Sequence, residues 1–117
     1  MTITNNSPYI RFLGLINALD RLNLGKKLDH IEEKLLDKIV LCANSNEAIL
    51  VGDLISLTTL GSQATLHGRL KNLISMGYIK MASNLDGRKK EVLPTKVALK
   101  RYDAISKCLE KAVKQVN

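Results

Sequence analysis

Tryptophan is absent from this sequence and phenylalanine occurs once, with three tyrosines beside it. The core is therefore left to leucine, isoleucine and valine. No stretch approaches the roughly 20 consecutive apolar residues that a membrane span requires, so no spanning helix and no membrane partner are expected. Met1 to Ser7 carries no cationic side chain, and the apolar run after Pro8 is broken by Arg11 and Asn17, so no signal peptide is expected and the protein should stay in the cytoplasm. Only two cysteines are present, Cys42 and Cys108. Both fall on predicted helices with apolar neighbours and lack the close pairing of a metal or redox motif, so they read as buried, reduced thiols. The glycines stand singly and form no phosphate-cradling loop. His30 and His67 lie on separate predicted helices, and no cysteine or carboxylate has a spacing to either that suggests a metal site or a nucleophile–base pair. No cofactor is implied, and an enzyme is not expected.

What the sequence does have is an uneven charge. The net charge is +7. Between Ser62 and Arg101 stand nine cations (Arg69, Lys71, Lys80, Arg88, Lys89, Lys90, Lys96, Lys100, Arg101) against two anions (Asp86, Glu91), and the remainder of the chain is neutral. The whole excess thus sits in one contiguous segment. A solvated face is the bland reading of such a run; a surface that meets a polyanion is the functional one.

With 117 residues the chain has the length of one domain. Its pattern predicts a mainly α fold with a small β-hairpin, in the order α-α-(β)-α-α-β-β-α, over 1–117. Residues 8–47 hold two helices. In the first, opened by Pro8 and ended by Gly25, Phe12, Leu15, Ile16, Leu19 and Leu22 recur at helical spacing. In the second, Asp29 and Glu32 form a capping-box pair, and Ile31, Leu35, Ile39 and Cys42 make the inner stripe. Residues 48–94 hold a helix-turn-helix and a hairpin. "AILV" is short and β-leaning, Gly52-Asp53 starts a third helix, and Ser62 caps a fourth with Leu66, Leu70 and Leu73 inward and Gly77 as its stop. "YIKMAS", "NLDG" and "KKEVL" then read as strand, turn and strand. Over 95–117, Thr95 caps a last helix whose Ala98, Tyr102, Ile105, Leu109, Ala112 and Val116 step by fours and threes, a heptad seam. That seam fits a partner subunit or the first helix of the same chain.

With those leucines inward, the opposite face of the fourth helix carries Ala64, Thr65, His67, Gly68, Lys71 and Asn72. From Ser62 to Lys80 there is not one carboxylate. An ordinary solvent-facing helix would carry glutamate for solubility and i,i+4 pairing. A small, polar, mildly basic face can enter a DNA major groove, with Ser62, Gln63 and the helix start at phosphates. In the hairpin, Arg88 is suited to a minor groove, with Lys89 or Lys90 on flanking phosphates. Period-2 alternation points Lys89 and Lys90 to opposite faces, so at most one joins Arg88 directly.

The segment "LVGDLISLTTLGSQATLHGRLKNLISMGYI" followed by "DGRKKEVLPT" resembles the winged helix-turn-helix core of the MarR-type bacterial transcriptional regulators, whose wing carries Asp-x-Arg and then a Leu-Thr pair. The resemblance implies a homodimer on double-stranded DNA, each recognition helix in a major groove, each wing arginine in a minor groove, and Asp86 paired with Arg88 to steady the loop. Gly68 departs from it, standing where members often present an arginine to DNA. The expected function is a sequence-specific DNA-binding transcriptional regulator. Its DNA-facing residues are Ser62, Gln63, Thr65, His67, Arg69, Lys71, Asn72, Arg88, Lys89 and Lys90, and its subunits meet through Phe12, Ile16, Tyr102, Ile105 and Leu109. The rival is a winged-helix protein-interaction module, an adaptor or antirepressor that docks on an acidic partner. A small-molecule effector cannot be read from the residues.

Overall fold

The computed structural model describes residues 7–22, 27–83 and 90–114. Its elements are α1 (Pro8–Leu22), α2 (His30–Asn44), α3 (Val51–Ile55), α4 (Gln63–Ser75), β1 (Ile79–Ser83), β2 (Lys90–Pro94) and α5 (Lys96–Lys114). This is the mainly helical order with one hairpin that the sequence predicts. The chain divides into two compact units, one of Leu28–Leu99 and one of Met1–Lys27 with Lys100–Asn117.

In the unit Leu28–Leu99, local signals fix the helix ends. Asp29 accepts from Glu32 N–H at 2.8 Å and donates its own N–H to Glu32 Oε1 at 2.9 Å, closing the capping box at the start of α2. Gly77 has φ +81°, a conformation glycine adopts without a Cβ penalty. It places Gly77 N–H on Ile74 O and Tyr78 N–H on Leu73 O, both at 2.9 Å, the Schellman pattern that ends α4. Thr95 caps α5 by accepting from Ala98 N–H at 3.3 Å, while its hydroxyl donates to Gly77 O and its N–H to Tyr78 O at 3.0 Å. One residue thereby ties the end of α4 to the start of α5.

Leu35, Leu36, Ile39 and Cys42 of α2, Leu54 of α3, Leu66, Leu70 and Leu73 of α4, and Ile79 and Val92 of the hairpin form the core with Leu28, Ile49, Tyr78 and Ala98. It is aliphatic, as an aromatic-poor composition dictates. β1 and β2 pair antiparallel, Met81 opposite Val92 and Lys80 opposite Leu93. "AILV" adds only a single bridge, Leu50 to Glu91, together with the bond from Val92 N–H to Ile49 O at 2.8 Å. The predicted strand is this short because Leu50 already caps α3, its N–H held by Asp53 Oδ2 at 2.9 Å. Pro94 is the last paired residue of β2, opposite Ile79.

In the other unit, α1 and α5 run antiparallel. Arg11 Nε donates to Ala112 O at 2.9 Å at one end, and Arg101 Nη1 lies 3.7 Å from Asp20 Oδ1 at the other. Phe12, Leu15, Ile16 and Leu19 are half-buried. Leu22, expected in the inner stripe of α1, is the last residue of that helix and is 80% exposed. Tyr102 and Ile105 are half-buried and Ala112 is buried, so part of the heptad seam is satisfied within the chain. Leu109 is 52% exposed and stands outside that packing. Cys42 is buried as expected, whereas Cys108 is only half-buried. Gly25 and Val116 lie outside the described residues.

Candidate nucleic-acid interface

Ser62 holds the start of α4. Its Oγ accepts Thr65 N–H at 3.2 Å and lies 3.0 Å from Thr65 Oγ1, to which it donates. Buried Leu66, Leu70 and Leu73 fix the inward side of the helix. With 100° per residue, the ridge farthest from them is Ala64, Gly68, Lys71 and Ser75, flanked by His67. Ala64, His67, Lys71 and Ser75 are exposed, and Gln63 is exposed at the helix start. The centre of the ridge is therefore small side chains with one lysine, and no carboxylate stands anywhere on α4. Ser75, which the expected contacts omit, falls on this ridge when the same i, i+3, i+4 spacing is carried one turn further.

Gly68 is the most permissive position on this surface, since a Cβ built there meets nothing within 4 Å. Gly68→Ala should stabilise the helix by about 0.5–1 kcal/mol, because glycine in a helix interior loses more backbone entropy than alanine. Thermal denaturation of the variant beside the parent should show a midpoint raised by a few degrees.

The structure does not present all the expected residues alike. Thr65 and Arg69 are half-buried. Arg69 Nε lies 2.6 Å from Asp29 Oδ2, an ion pair whose N–H is not aligned on the oxygen. Asn72 Nδ2 donates to Glu32 Oε2 at 2.9 Å. Both side chains turn to the start of α2. Arg101 is likewise engaged, with Asp20, so among the described residues two cations of the basic segment, Arg69 and Arg101, have acidic partners. Lys71, Lys80, Lys90, Lys96 and Lys100 are exposed. In the hairpin register Lys90 falls on the same face as Val92 and Pro94, while Lys80 is on the opposite face with Leu93. Asp86, Arg88 and Lys89 lie outside the described residues.

Among the described residues, no group of histidine, cysteine and carboxylate side chains could hold a metal ion. None of the described helices is long and apolar enough to cross a membrane.

No family model matches the sequence, and neither does any curated protein. Solved structures do resemble it. A MarR protein from Peptoclostridium difficile is 24% identical, with a TM-score of 0.53 over 97% of this chain and 76% of that one. A MarR-like transcriptional regulator from Thermotoga maritima is 11% identical, with a TM-score of 0.61 over 91% of this chain and 75% of that one. MepR, a transcription regulator of the Staphylococcus aureus multidrug efflux pump MepA, is 16% identical, with a TM-score of 0.60 over 93% of this chain and 78% of that one. With α3 and α4 as the helix-turn-helix and β1 and β2 as the wing, the chain has the winged-helix fold of the MarR-type transcriptional regulators.

Proposed function

We propose that the protein is a DNA-binding transcriptional regulator, acting in the cytoplasm as a homodimer on a roughly two-fold symmetric duplex site. The observation that carries this reading is the outer face of α4: exposed, small, mildly basic and free of carboxylates over the full helix. Solubility alone does not call for such a face, whereas close approach to a phosphate-lined groove does. In this mechanism Gln63, His67 and Lys71 reach base edges or phosphates from α4. Small Ala64 and Gly68 let the helix backbone come close to the groove floor. Arg88 enters the minor groove, with Lys89 or Lys90 neutralising phosphates beside it. The winged-helix fold shared with transcriptional regulators supports the reading.

Fluorescence anisotropy of the protein with an arbitrary labelled duplex, titrated at several salt concentrations, tests it. Non-specific binding in the micromolar range is expected, with log K falling by about 0.9 per phosphate contacted for each unit of log salt. Arg88→Ala should weaken binding by about tenfold. No duplex binding even at low salt would overturn the reading and assign the basic segment to a protein partner.

A further inference from the structure

The carboxylates that open α2 each do two things. Asp29 uses Oδ1 and Glu32 uses Oε1 in the capping box, leaving Oδ2 and Oε2 to face α4. There Oδ2 meets Arg69 and Oε2 meets Asn72. Arg69 and Asn72 are three residues apart and share one flank of α4, and Glu32 is only 5% exposed. Four side chains thus join one helix start to the middle of another.

The geometry matters because apolar packing is non-directional. The buried leucine row fixes which side of α4 faces inward, and a directed bond on one flank adds a constraint on its roll that apolar contact alone does not supply. A hydrogen bond carries distance and angle requirements, which the Asn72–Glu32 bond meets at 2.9 Å, and the Arg69–Asp29 pair beside it adds a charge contact at 2.6 Å. Arg69 lies about 200° around the helix from Lys71. A grip at Arg69 and Asn72 therefore sets the angle at which the Ala64, Gly68, Lys71 and Ser75 ridge leaves the protein.

We propose that the capping box of α2 is also a clasp that sets the roll of α4, making Asp29 and Glu32 positioning residues for recognition and withdrawing Arg69 and Asn72 from the DNA-contacting set. The proposal rests on the DNA-binding reading above. It narrows that reading by removing from it the two residues whose bonds are directed away from the outer ridge.

The test is a double-mutant cycle on duplex binding, read with its salt dependence. Asp29→Asn keeps an acceptor at the N-cap and removes the charge that holds Arg69; Arg69→Gln removes the other half. All forms are assayed well below their unfolding midpoints. Each single variant and the double variant should bind the labelled duplex about tenfold more weakly than the parent, with the second change adding almost nothing to the first. The slope of log K against log salt should stay at the parent's value, because no phosphate contact is lost. A merely structural role would lower the unfolding midpoint without moving affinity among folded molecules, and that result overturns the proposal. So does a slope reduced by about 0.9 in Arg69→Gln whatever stands at position 29, which would make Arg69 a phosphate contact. Tighter and more steeply salt-dependent binding by Asp29→Asn overturns it as well, since Asp29 would then be restraining Arg69 from DNA. If the parent chain binds no duplex, the functional reading itself fails and the clasp has nothing to position.

Discussion

Leu66→Ala should lower the stability of the unit Leu28–Leu99 by about 3–5 kcal/mol, as large an effect as any single truncation in α4 should have. Leu66 is 0% exposed. Its loss combines the transfer free energy of the deleted carbons with the cost of the cavity left behind. Cavity costs fall where a structure can collapse, and here it has little room to do so. α4 packs on α2, α3 and β1 and is pinned at both ends by the Ser62 cap and the Gly77 turn. Single domains are stable by only about 5–15 kcal/mol, so the variant should be partly unfolded near physiological temperature. Urea unfolding followed by circular dichroism measures this directly, the midpoint falling while the slope is retained. Ile74→Ala, on the same helix but 41% exposed, should stay within about 0.5 kcal/mol of the parent. Equal losses at the two positions would mean that the leucine row does not carry the helix.

The contrast between those two residues shows where sequence patterning succeeds. Leu66, Leu70 and Leu73 are legible as an inward row because the period of one helix determines it. The Asp29–Glu32 box, the Ser62 cap, the Gly77 stop and the Thr95 cap are legible for the same reason: each is a bond between residues within a turn of one another. None of these depends on where another element lies. Ile49 and Leu50 show the limit of the approach. Their β-leaning character is real and gives a bridge to Glu91, yet the competing cap of α3 stops the strand after one residue.

Arg69 and Asn72 mark a second limit. Helical spacing places them on the flanks of α4 and composition makes them plausible DNA contacts. Their partners, Asp29 and Glu32, come from a helix start some 40 residues earlier, and no periodicity within α4 announces them. The same holds for Arg101 and Asp20. Counting cations along the basic segment therefore overstates the charge free to meet DNA, since a charge count ignores ion pairs that only the tertiary fold creates. On α1 the stripe from Phe12 to Leu22 has the right spacing. Spacing gives direction, however, and burial also needs a neighbour at that height, which Leu22 lacks among the described residues.

In the homodimer proposed above, Leu109→Asp should separate the subunits and lower the affinity for a two-fold symmetric site by about 10²–10⁴-fold, because the second half-site contact ceases to be intramolecular. The choice of Leu109 follows from how the seam of α5 divides. Tyr102 and Ile105 are half-buried within the chain, so a charge at either disturbs the protomer and the interface together. Leu109 and Val113 are exposed and one turn apart on α5, as are Tyr9 and Leu13 on α1. Large apolar side chains repeated at helical spacing on a solvent face suit an isologous contact, in which each residue meets its symmetry mate or a neighbour of it. An aspartate at position 109 leaves the folded chain's own packing intact, so the urea midpoint extrapolated to low protein concentration should match the parent's. Sedimentation velocity should show the smaller species, and anisotropy with a non-symmetric duplex at low salt should be nearly unchanged, since each protomer keeps its own α4 and wing. Retention of the dimer by this variant would place the interface elsewhere. Loss of the dimer with undiminished affinity for a palindromic site would instead show that one protomer suffices, and would remove two-fold symmetry from the mechanism.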